Sequence, residues 1–225
     1  MVEVLVVCEG STEREFCREV VGPLILPKGI SLAGTLVGKP HQKKGGISPW
    51  QSYRRELVRL AKERDARHVA VLVDYYGMPG DWPGRTASRS LPVLERGAHV
   101  EKELVSDLDT ELPGRFHPCI QLHEFESLLF ADPELSALSI AIGSGLDDES
   151  QLADDMHSVK QECGGSAELI DDGPETAPSK RLIALVPGYD KVAWGVTAAK
   201  DVPIEVLRRE CSWLDRWVTR LACIG

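Results

Sequence analysis

The sequence lacks the features that would place it in a membrane or a secretory pathway. No apolar run approaches the roughly 20 residues that a membrane-spanning helix needs. The apolar start of the chain, residues 1–7, has no basic segment ahead of it and is interrupted by Glu3. We therefore expect no membrane association, no signal peptide and a cytoplasmic location.

Motifs of several well-known protein classes are also missing. The six cysteines form no Cys-x-x-Cys pair and no metal-finger spacing, so we expect reduced thiols rather than a disulfide scaffold. There is no Gly-x-Ser-x-Gly, which argues against a serine-hydrolase elbow. There is no Gly-x-Gly-x-x-Gly either, which argues against a dinucleotide-binding loop.

The chain has fewer basic residues than acidic ones. The chain has 26 Lys and Arg against 35 Asp and Glu, for a net charge of -9. This balance argues against a surface coated in basic residues for non-specific nucleic-acid binding. It leaves open a local basic groove, or a site where metal ions screen carboxylates from phosphates.

What the sequence does contain is an alternation of short, valine-rich apolar segments with helical patterns. Four predicted strands cover residues 2–8, 31–37, 68–75 and 116–122. Continuous apolar strands that alternate with helices are typical of parallel sheets buried on both faces. We predict an α/β fold with a parallel sheet of about four strands flanked by helices.

The second half of the chain shows helices and polar loops only. We predict an α/β core at 1–131 and a mainly helical C-terminal elaboration at 132–225, packed on the same domain. Within this elaboration, residues 147–155 and 164–178 have the polar composition of loops or short turns. Helices at 204–210 and 213–222 close the chain.

Acidic residues follow three of the four predicted strands. Glu9 follows the first strand, Asp74 ends the third, and Glu124 and Glu126 follow the fourth, with Glu13 one helical turn after Glu9. Ligands of open α/β sheets bind at the carboxyl ends of the strands, and converging carboxylates favour Mg²⁺ or Mn²⁺. We predict all five acids as catalytic candidates, with Glu9, Asp74 and Glu126 as metal ligands. The alternative for Glu13 is favourable interaction with the helix dipole, and for the others a solvated loop position.

Two basic segments are candidates for phosphate binding. Lys43 and Lys44 lie in a Gly/Lys-rich segment ahead of a predicted helix, and Lys180 and Arg181 follow Ser179, a potential helix cap. Backbone amides of glycine-rich turns and helix N-termini bind phosphate well. The alternatives are a surface loop for the first pair and solvated charges for the second.

Four segments together resemble the bacterial family DUF4276. They are EGSTE at 9–13, DYYGMP at 74–79, HEFESLLF at 123–130 and APSKR at 177–181. The resemblance covers nearly the whole chain and includes YDK at 189–191.

That family in turn is similar to Toprim domains, the metal-binding domains of topoisomerases, primases and overcoming-lysogenization-defect nucleases. The resemblance implies Glu9 as the Toprim glutamate after the first strand, Glu13 as the second acid of that motif, and Asp74 as the first acid of Asp-x-Asp. Tyr76 stands where the second aspartate is expected. The resemblance therefore leaves a missing ligand for Asp81, Glu124 or Glu126 to supply.

The resemblance implies a function that the residues alone leave open. The first hypothesis is a Toprim-like nuclease, or phosphodiester-handling protein, that uses Mg²⁺ or Mn²⁺. Relatives of this kind work beside an AAA or ABC-type ATPase in bacterial antiviral defence, so an ATPase partner, nucleic acid and a homo-oligomer are expected partners. The alternatives are a non-catalytic module that binds a nucleotide or a partner protein, and a small-molecule phosphotransfer enzyme.

Overall fold

The computed structural model describes residues 1–37, 46–170, 173 and 175–224. Four strands form one sheet: β1 (Val2–Cys8), β2 (Ile30–Leu36), β3 (His68–Asp74) and β4 (Phe116–Gln121). The strand order is β2-β1-β3-β4, and all neighbouring pairs are parallel. The predicted α/β fold with a parallel sheet and flanking helices is confirmed.

The helices alternate with the strands in the first half of the chain and follow one another in the second. They are α1 (Ser11–Phe16), α2 (Gly22–Ile25), α3 (Trp50–Lys62), α4 (Val93–Leu108), α5 (Pro133–Ser144), α6 (Glu149–Glu162), α7 (Pro178–Leu185), α8 (Val196–Asp201), α9 (Ile204–Glu210) and α10 (Ser212–Ala222). Short 3₁₀ segments lie at Phe125–Phe130 and at three other places, and π-helical turns cover Cys17–Val21 and Lys191–Gly195. Among the described residues, none of these helices is both long and apolar enough to cross a membrane.

The prediction of a loop at 147–155 was wrong, because α6 begins at Glu149. Asp148 caps this helix, and its side chain accepts a hydrogen bond from the backbone N–H of Gln151. Leu152 and Met156, which lie one turn apart on α6, are buried. Because most of the surrounding residues are acidic or amide side chains, the apolar stripe is narrow and the segment resembles a loop in sequence.

The chain forms two compact units, which we describe separately. The first contains residues 1–122 and 216–225, and the second contains residues 123–215. The predicted division after residue 131 stays a prediction. In the first unit, valines of the strands pack against aromatic side chains in one continuous core. Trp50, Tyr53 and Trp82 form a tilted aromatic cluster with ring centroids 4.9 Å apart in each contact with Trp82.

The outer edge of β4 is closed by side chains of the same unit. Glu101 of α4 accepts a hydrogen bond from the Ile120 N–H at 3.0 Å, and Arg220 donates to the Pro118 carbonyl. Arg220 also pairs with Glu101 at 2.8 Å. Pro118 has no N–H to donate, which suits an edge strand. These contacts satisfy backbone groups that would otherwise template the pairing of a further strand.

Candidate functional site

Glu9 and Asp74 lie at the carboxyl ends of neighbouring strands in the first unit. β1 and β3 pair directly, with Cys8 opposite Leu72, and the Glu9 N–H donates to the Leu72 carbonyl at 3.1 Å. The Asp74 N–H in turn donates to Glu9 Oε2 at 3.1 Å. The hydrogen bond therefore fixes the Glu9 carboxylate between the carboxyl ends of β1 and β3. Ligands of α/β proteins bind at this end of the sheet.

Glu13 has a local partner. Its Oε2 accepts a hydrogen bond from the Gly10 N–H at 2.9 Å, and the residue is buried in the first turn of α1. A Cβ at position 10 would lie 2.9 Å from the same oxygen, so a larger residue there would require the Glu13 carboxylate to shift. The arrangement satisfies a backbone donor at the helix start and places a negative charge at the positive end of the dipole.

The segment after β3 is held by its own side chains. The Tyr75 hydroxyl is 2.8 Å from Ser88 Oγ, and Arg85 lies over the Tyr75 ring, 3.9 Å from its centroid. Tyr76, at the position expected for the second Toprim aspartate, accepts a hydrogen bond from Arg96 Nη1 at 3.2 Å. Gly77 follows, and a Cβ there would lie 3.6 Å from Glu9 Oε1, which is ordinary contact. The segment thus leaves room beside the Glu9 carboxylate.

Asp81 accepts a hydrogen bond at the N-terminus of α3. Its Oδ2 accepts a hydrogen bond from the Trp50 N–H at 2.8 Å, and Trp50 is the first residue of that helix. The pairing joins the segment after β3 to a helix that is preceded by Pro49 and has no cap from its own neighbours. Asp81 therefore has a structural role in the first unit.

The other two predicted acids, Glu124 and Glu126, lie in the second unit and are paired there. Lys191 Nζ is 3.0 Å from Glu126 Oε1 and 3.9 Å from Glu124 Oε1. The second oxygen of Glu124 accepts a hydrogen bond from the Ser179 N–H at 2.9 Å, at the start of α7. Segments that the sequence analysis singled out separately thus meet in one place.

Glu126 is the most deeply buried of these acids, with no residual exposure. Burial raises the pKa of its carboxyl above the ordinary range, although the Lys191 ammonium opposes the shift. Neither carboxylate oxygen has a hydrogen bond of good geometry within the described residues. The neighbouring Tyr189 hydroxyl is buried too, and burial together with the charge of Glu126 raises its pKa.

Asp190 explains how Lys191 is positioned. Its Oδ1 accepts hydrogen bonds from the N–H groups of Val192 and Ala193 at 2.9 and 2.8 Å, which caps the turn that begins at Lys191. The preceding residue, Tyr189, packs its hydroxyl against Gly195 at the end of this turn. Sequence analysis noted 189–191 only as part of the family resemblance and missed Lys191 as a partner of the two glutamates.

The basic candidates fall in different places. Lys43 and Lys44 lie outside the described residues, although Gly46, which follows them in sequence, donates its N–H to the Glu9 carbonyl at 2.6 Å. Lys180 is exposed on α7. Arg181 donates from Nε to the Thr176 carbonyl at 3.1 Å and pairs with Glu162 at 3.1 Å. Arg181 is therefore engaged with protein groups, and Lys180 faces solvent.

A magnesium ion in the first unit would have few protein ligands. Within residues 1–37, 46–170, 173 and 175–224, no group of three or more His, Cys, Asp or Glu side chains is arranged to hold a metal. Mg²⁺, however, is commonly held by one or two carboxylates and completes its shell with water and substrate phosphates. A carboxylate that accepts one N–H keeps further lone pairs for a cation. Glu9 and Asp74, at neighbouring strand ends, are the residues of the first unit that would hold such an ion.

Fold and site together define an α/β protein with acidic side chains at the carboxyl edge of a parallel sheet. The chain belongs to the family described as Domain of unknown function (DUF4276), whose model matches residues 8–222. No curated protein and no solved structure matches it at a significant level.

Proposed function

We propose that the protein is a Toprim-like enzyme that cleaves phosphodiester bonds, with nucleic acid as its substrate and Mg²⁺ or Mn²⁺ as its cofactor. The observation that supports this most directly is the hydrogen bond from the Asp74 N–H to Glu9 Oε2 across neighbouring parallel strands. It holds the Glu9 carboxylate beside the backbone of Asp74, at the carboxyl ends of the strands, where ligands of such folds bind.

In this proposal Glu9 and Asp74 would hold the cation. A bound divalent cation supplies charge stabilisation for a phosphoryl oxygen and lowers the pKa of a bound water. The hydrogen bond to the Asp74 N–H keeps the Glu9 carboxylate in one orientation, and Gly77 keeps the space beside it clear. One of the glutamates predicted as catalytic candidates (Glu9, Glu13, Glu124 or Glu126) would accept the proton of the attacking water. Lys43 and Lys44 would reduce the repulsion between these acids and a phosphate.

The test is cleavage of plasmid and single-stranded substrates with Mg²⁺ or Mn²⁺. We expect Glu9→Ala and Asp74→Ala each to lower the rate by roughly 10²-fold or more, in line with the loss of charge stabilisation at a transition state. Glu95→Gln is the matched control, because it neutralises an exposed acid on α4 of the same unit. Wild-type activity that survives in both alanine variants would contradict the proposal.

The proposal extends to partners. As in the defence systems of similar proteins, we propose a neighbouring ATPase as partner, a homo-oligomeric assembly and a cytoplasmic location. If the purified chain cleaves nothing, the assay is repeated with that ATPase and ATP. Cleavage only in the presence of the ATPase would retain the metal-dependent enzyme. No cleavage in either setting would reject it.

One observation favours a second candidate, a non-catalytic module that binds a nucleotide or a partner protein. Tyr76 replaces the second Toprim acid, and Asp81, which lies nearby in sequence, is engaged with the Trp50 N–H. Within the described residues, no group of three or more His, Cys, Asp or Glu side chains could hold a metal ion. Isothermal titration with ATP, together with the cleavage assay, separates the two candidates, because the nucleotide-binding module predicts ATP binding that persists in the two alanine variants and no cleavage by the wild type.

A further inference from the structure

The two outer strands of the sheet differ in how their free edges are finished. The strand order places β2 at one end and β4 at the other, and the edge of β4 is closed by Glu101 and Arg220. β2 (Ile30–Leu36) is buried only at its first residue, and it contains no charged residue and no proline. Natural proteins usually protect an edge strand from pairing with lysine, proline or a bulge. The edge of β2 has none of these protections.

The pairing of β2 with β1 determines which of its backbone groups point outward. The Val2 N–H donates to the Gly29 carbonyl at 2.9 Å, and Val2 is paired with Ile30. In a parallel ladder a residue directs its N–H and C=O to the same side, and successive residues alternate. Every second residue of β2 therefore bonds to β1, and the others present both groups to the outside: Ile30, Leu32, Gly34 and Leu36. Within the part of the chain that the structure describes, no hydrogen bond reaches these outward groups.

A groove of about 340 Å³ runs beside this edge. It is lined by Leu32, Ala33 and Gly34 of β2 and by Arg14, Glu15 and Arg18. Gly34 faces α1, since a Cβ at this position would lie 2.9 Å from Arg14 Cγ. Both arginines pair with Glu15, Arg14 at 2.9 Å and Arg18 at 2.7 Å. The charges beside the edge are therefore balanced, which suits an occupant with the same balance better than a strongly acidic or basic one.

The strand is complementary to itself about Ala33. When a second copy pairs antiparallel with a two-fold axis at Ala33, Leu32 lies opposite Gly34 of the second copy, and Ile30 lies opposite Leu36. Each outward-facing residue then meets another, and residues paired in this way exchange both N–H and C=O hydrogen bonds. Ala33 meets itself in the closer, non-hydrogen-bonded position, with Cα atoms about 4.5 Å apart. Because this side chain is small and exposed, the closest approach is free of a clash.

We propose that the outer edge of β2 is a dimer interface, at which a second copy of this chain pairs antiparallel about a two-fold axis at Ala33. The two sheets then form one continuous sheet, and α1 of each copy lies on the same face of it. Such a contact uses the same patch on both copies, which agrees with the balanced charges of the groove. The interface supplies the surface for the homo-oligomeric assembly proposed above, and it holds whether or not the protein cleaves phosphodiester bonds.

Analytical ultracentrifugation of the full chain over a range of concentrations tests the dimer. We expect the wild type to dimerise, and Ala33→Lys to raise the dissociation constant of the dimer by about tenfold or more, because it places two like charges directly opposite each other. Ala33 is exposed, so the variant keeps the core of the monomer, and its circular dichroism should match the wild type. Gln51→Lys adds the same charge at an exposed site on α3 and is the matched control, which should dimerise as the wild type does.

A cysteine at the two-fold axis tests the register of the pairing. A disulfide needs Cα atoms about 4.4–6.8 Å apart, a condition that position 33 meets. In a Cys163→Ser/Cys223→Ser background, which removes the two cysteines that are not buried, Ala33→Cys should form a covalent dimer on oxidation with diamide. Ser31→Cys should not, because position 31 lies opposite Thr35 of the second copy, and the two copies of position 31 are roughly 13 Å apart.

Each outcome decides one part of the proposal. A wild type that stays monomeric at every concentration overturns the dimer and leaves the edge of β2 to a strand from another protein. A dimer that Ala33→Lys does not weaken, or that Ser31→Cys cross-links as fast as Ala33→Cys does, overturns the β2 interface while the homo-oligomer stands. Because neither readout uses nuclease activity, failure of this interface and failure of the proposed enzyme are told apart.

Discussion

Glu9 in the first unit and Glu126 in the second are both acids that follow a strand, but their surroundings differ. Glu9 accepts a hydrogen bond from a backbone N–H, that of Asp74, and lies beside Gly77 with room for a methyl group. Glu126 is fully buried and has the Lys191 ammonium as its charged partner. It also lies close to the tightly packed Tyr189.

The difference shows which feature of each acid the fold determines. A backbone donor is part of the sheet, so it cannot be exchanged without disturbing the strand ends. A lysine side chain, by contrast, can be replaced by mutation without changing the backbone. The first unit thus fixes the orientation of its carboxylate, whereas the second fixes the burial of its carboxylate and leaves the counter-charge variable.

The largest expected effect tests the packing side of the comparison. A Cβ at Gly195 would overlap the Tyr189 hydroxyl and approach Tyr189 Cζ at 3.4 Å, whereas a Cβ at Gly77 meets Glu9 Oε1 only at 3.6 Å. We expect Gly195→Ala to lower the free energy of unfolding by about 3 kcal/mol, the upper end for overpacking. Gly77→Ala should lower it by less than about 1 kcal/mol. Urea unfolding monitored by circular dichroism measures both.

A second substitution identifies the cause of the Gly195→Ala effect. The Tyr189 hydroxyl has no hydrogen-bond partner among the described residues, so Tyr189→Phe alone should change stability by about 0.5 kcal/mol or less. In the double variant the overlap disappears, and most of the lost stability should return. Equal stabilities for Gly195→Ala and the double variant would show that the hydroxyl is not the obstacle.

Much of the fold followed from local pattern. β1 was predicted at the residues where it occurs, and β3 one residue too long, because continuous valine-rich runs between turns leave little choice. Helix α9 was also predicted at its observed bounds. The placement of Glu9 and Asp74 at one sheet edge required only parallel neighbouring strands. Their chemical roles stay predictions.

What the sequence could not provide is the set of partners from distant segments. The contact of Ser179 with Glu124 and that of Lys191 with Glu126 each join residues more than 50 positions apart. No periodicity encodes such pairs, because they depend on how helices pack. The same limit applies to Asp81, which the Toprim resemblance offers as a possible replacement ligand and which accepts a hydrogen bond from the Trp50 N–H at the start of α3.

The next prediction concerns pH and the first unit. His68 Nδ1 and His117 Nε2 are 2.8 Å apart in nearly parallel rings. Burial lowers the pKa of His117 to about 4, with the nearby charges of His68 and Arg220 adding to the effect. Between about pH 6.5 and about pH 4, His117 is therefore protonated in the unfolded chain but neutral in the folded chain. The free energy of unfolding falls as the pH drops through this range.

We expect this loss to be about 2 kcal/mol, and to be largely absent in His117→Asn. Urea unfolding at pH 7 and at pH 4.5 measures the difference between the two proteins. His99→Asn, a histidine of α4 in the same unit, is the matched control and should retain the wild-type dependence. If His117→Asn loses as much stability in acid as the wild type does, the His117 imidazole is not responsible.

The smallest expected effect has the opposite sign and belongs to Glu126. Burial raises the pKa of this carboxyl, the Lys191 ammonium opposes the shift, and Glu124 reinforces it. The folded chain thus keeps its proton to a higher pH than the unfolded chain does, so the contribution of this group to stability is lost as the pH rises above about 4.5. Glu126→Gln cannot titrate, and its stability relative to wild type should rise between pH 4.5 and pH 7. A difference that stays constant over this range would mean that Lys191 fully compensates the burial of Glu126, so that the folded and unfolded carboxyls bind protons equally.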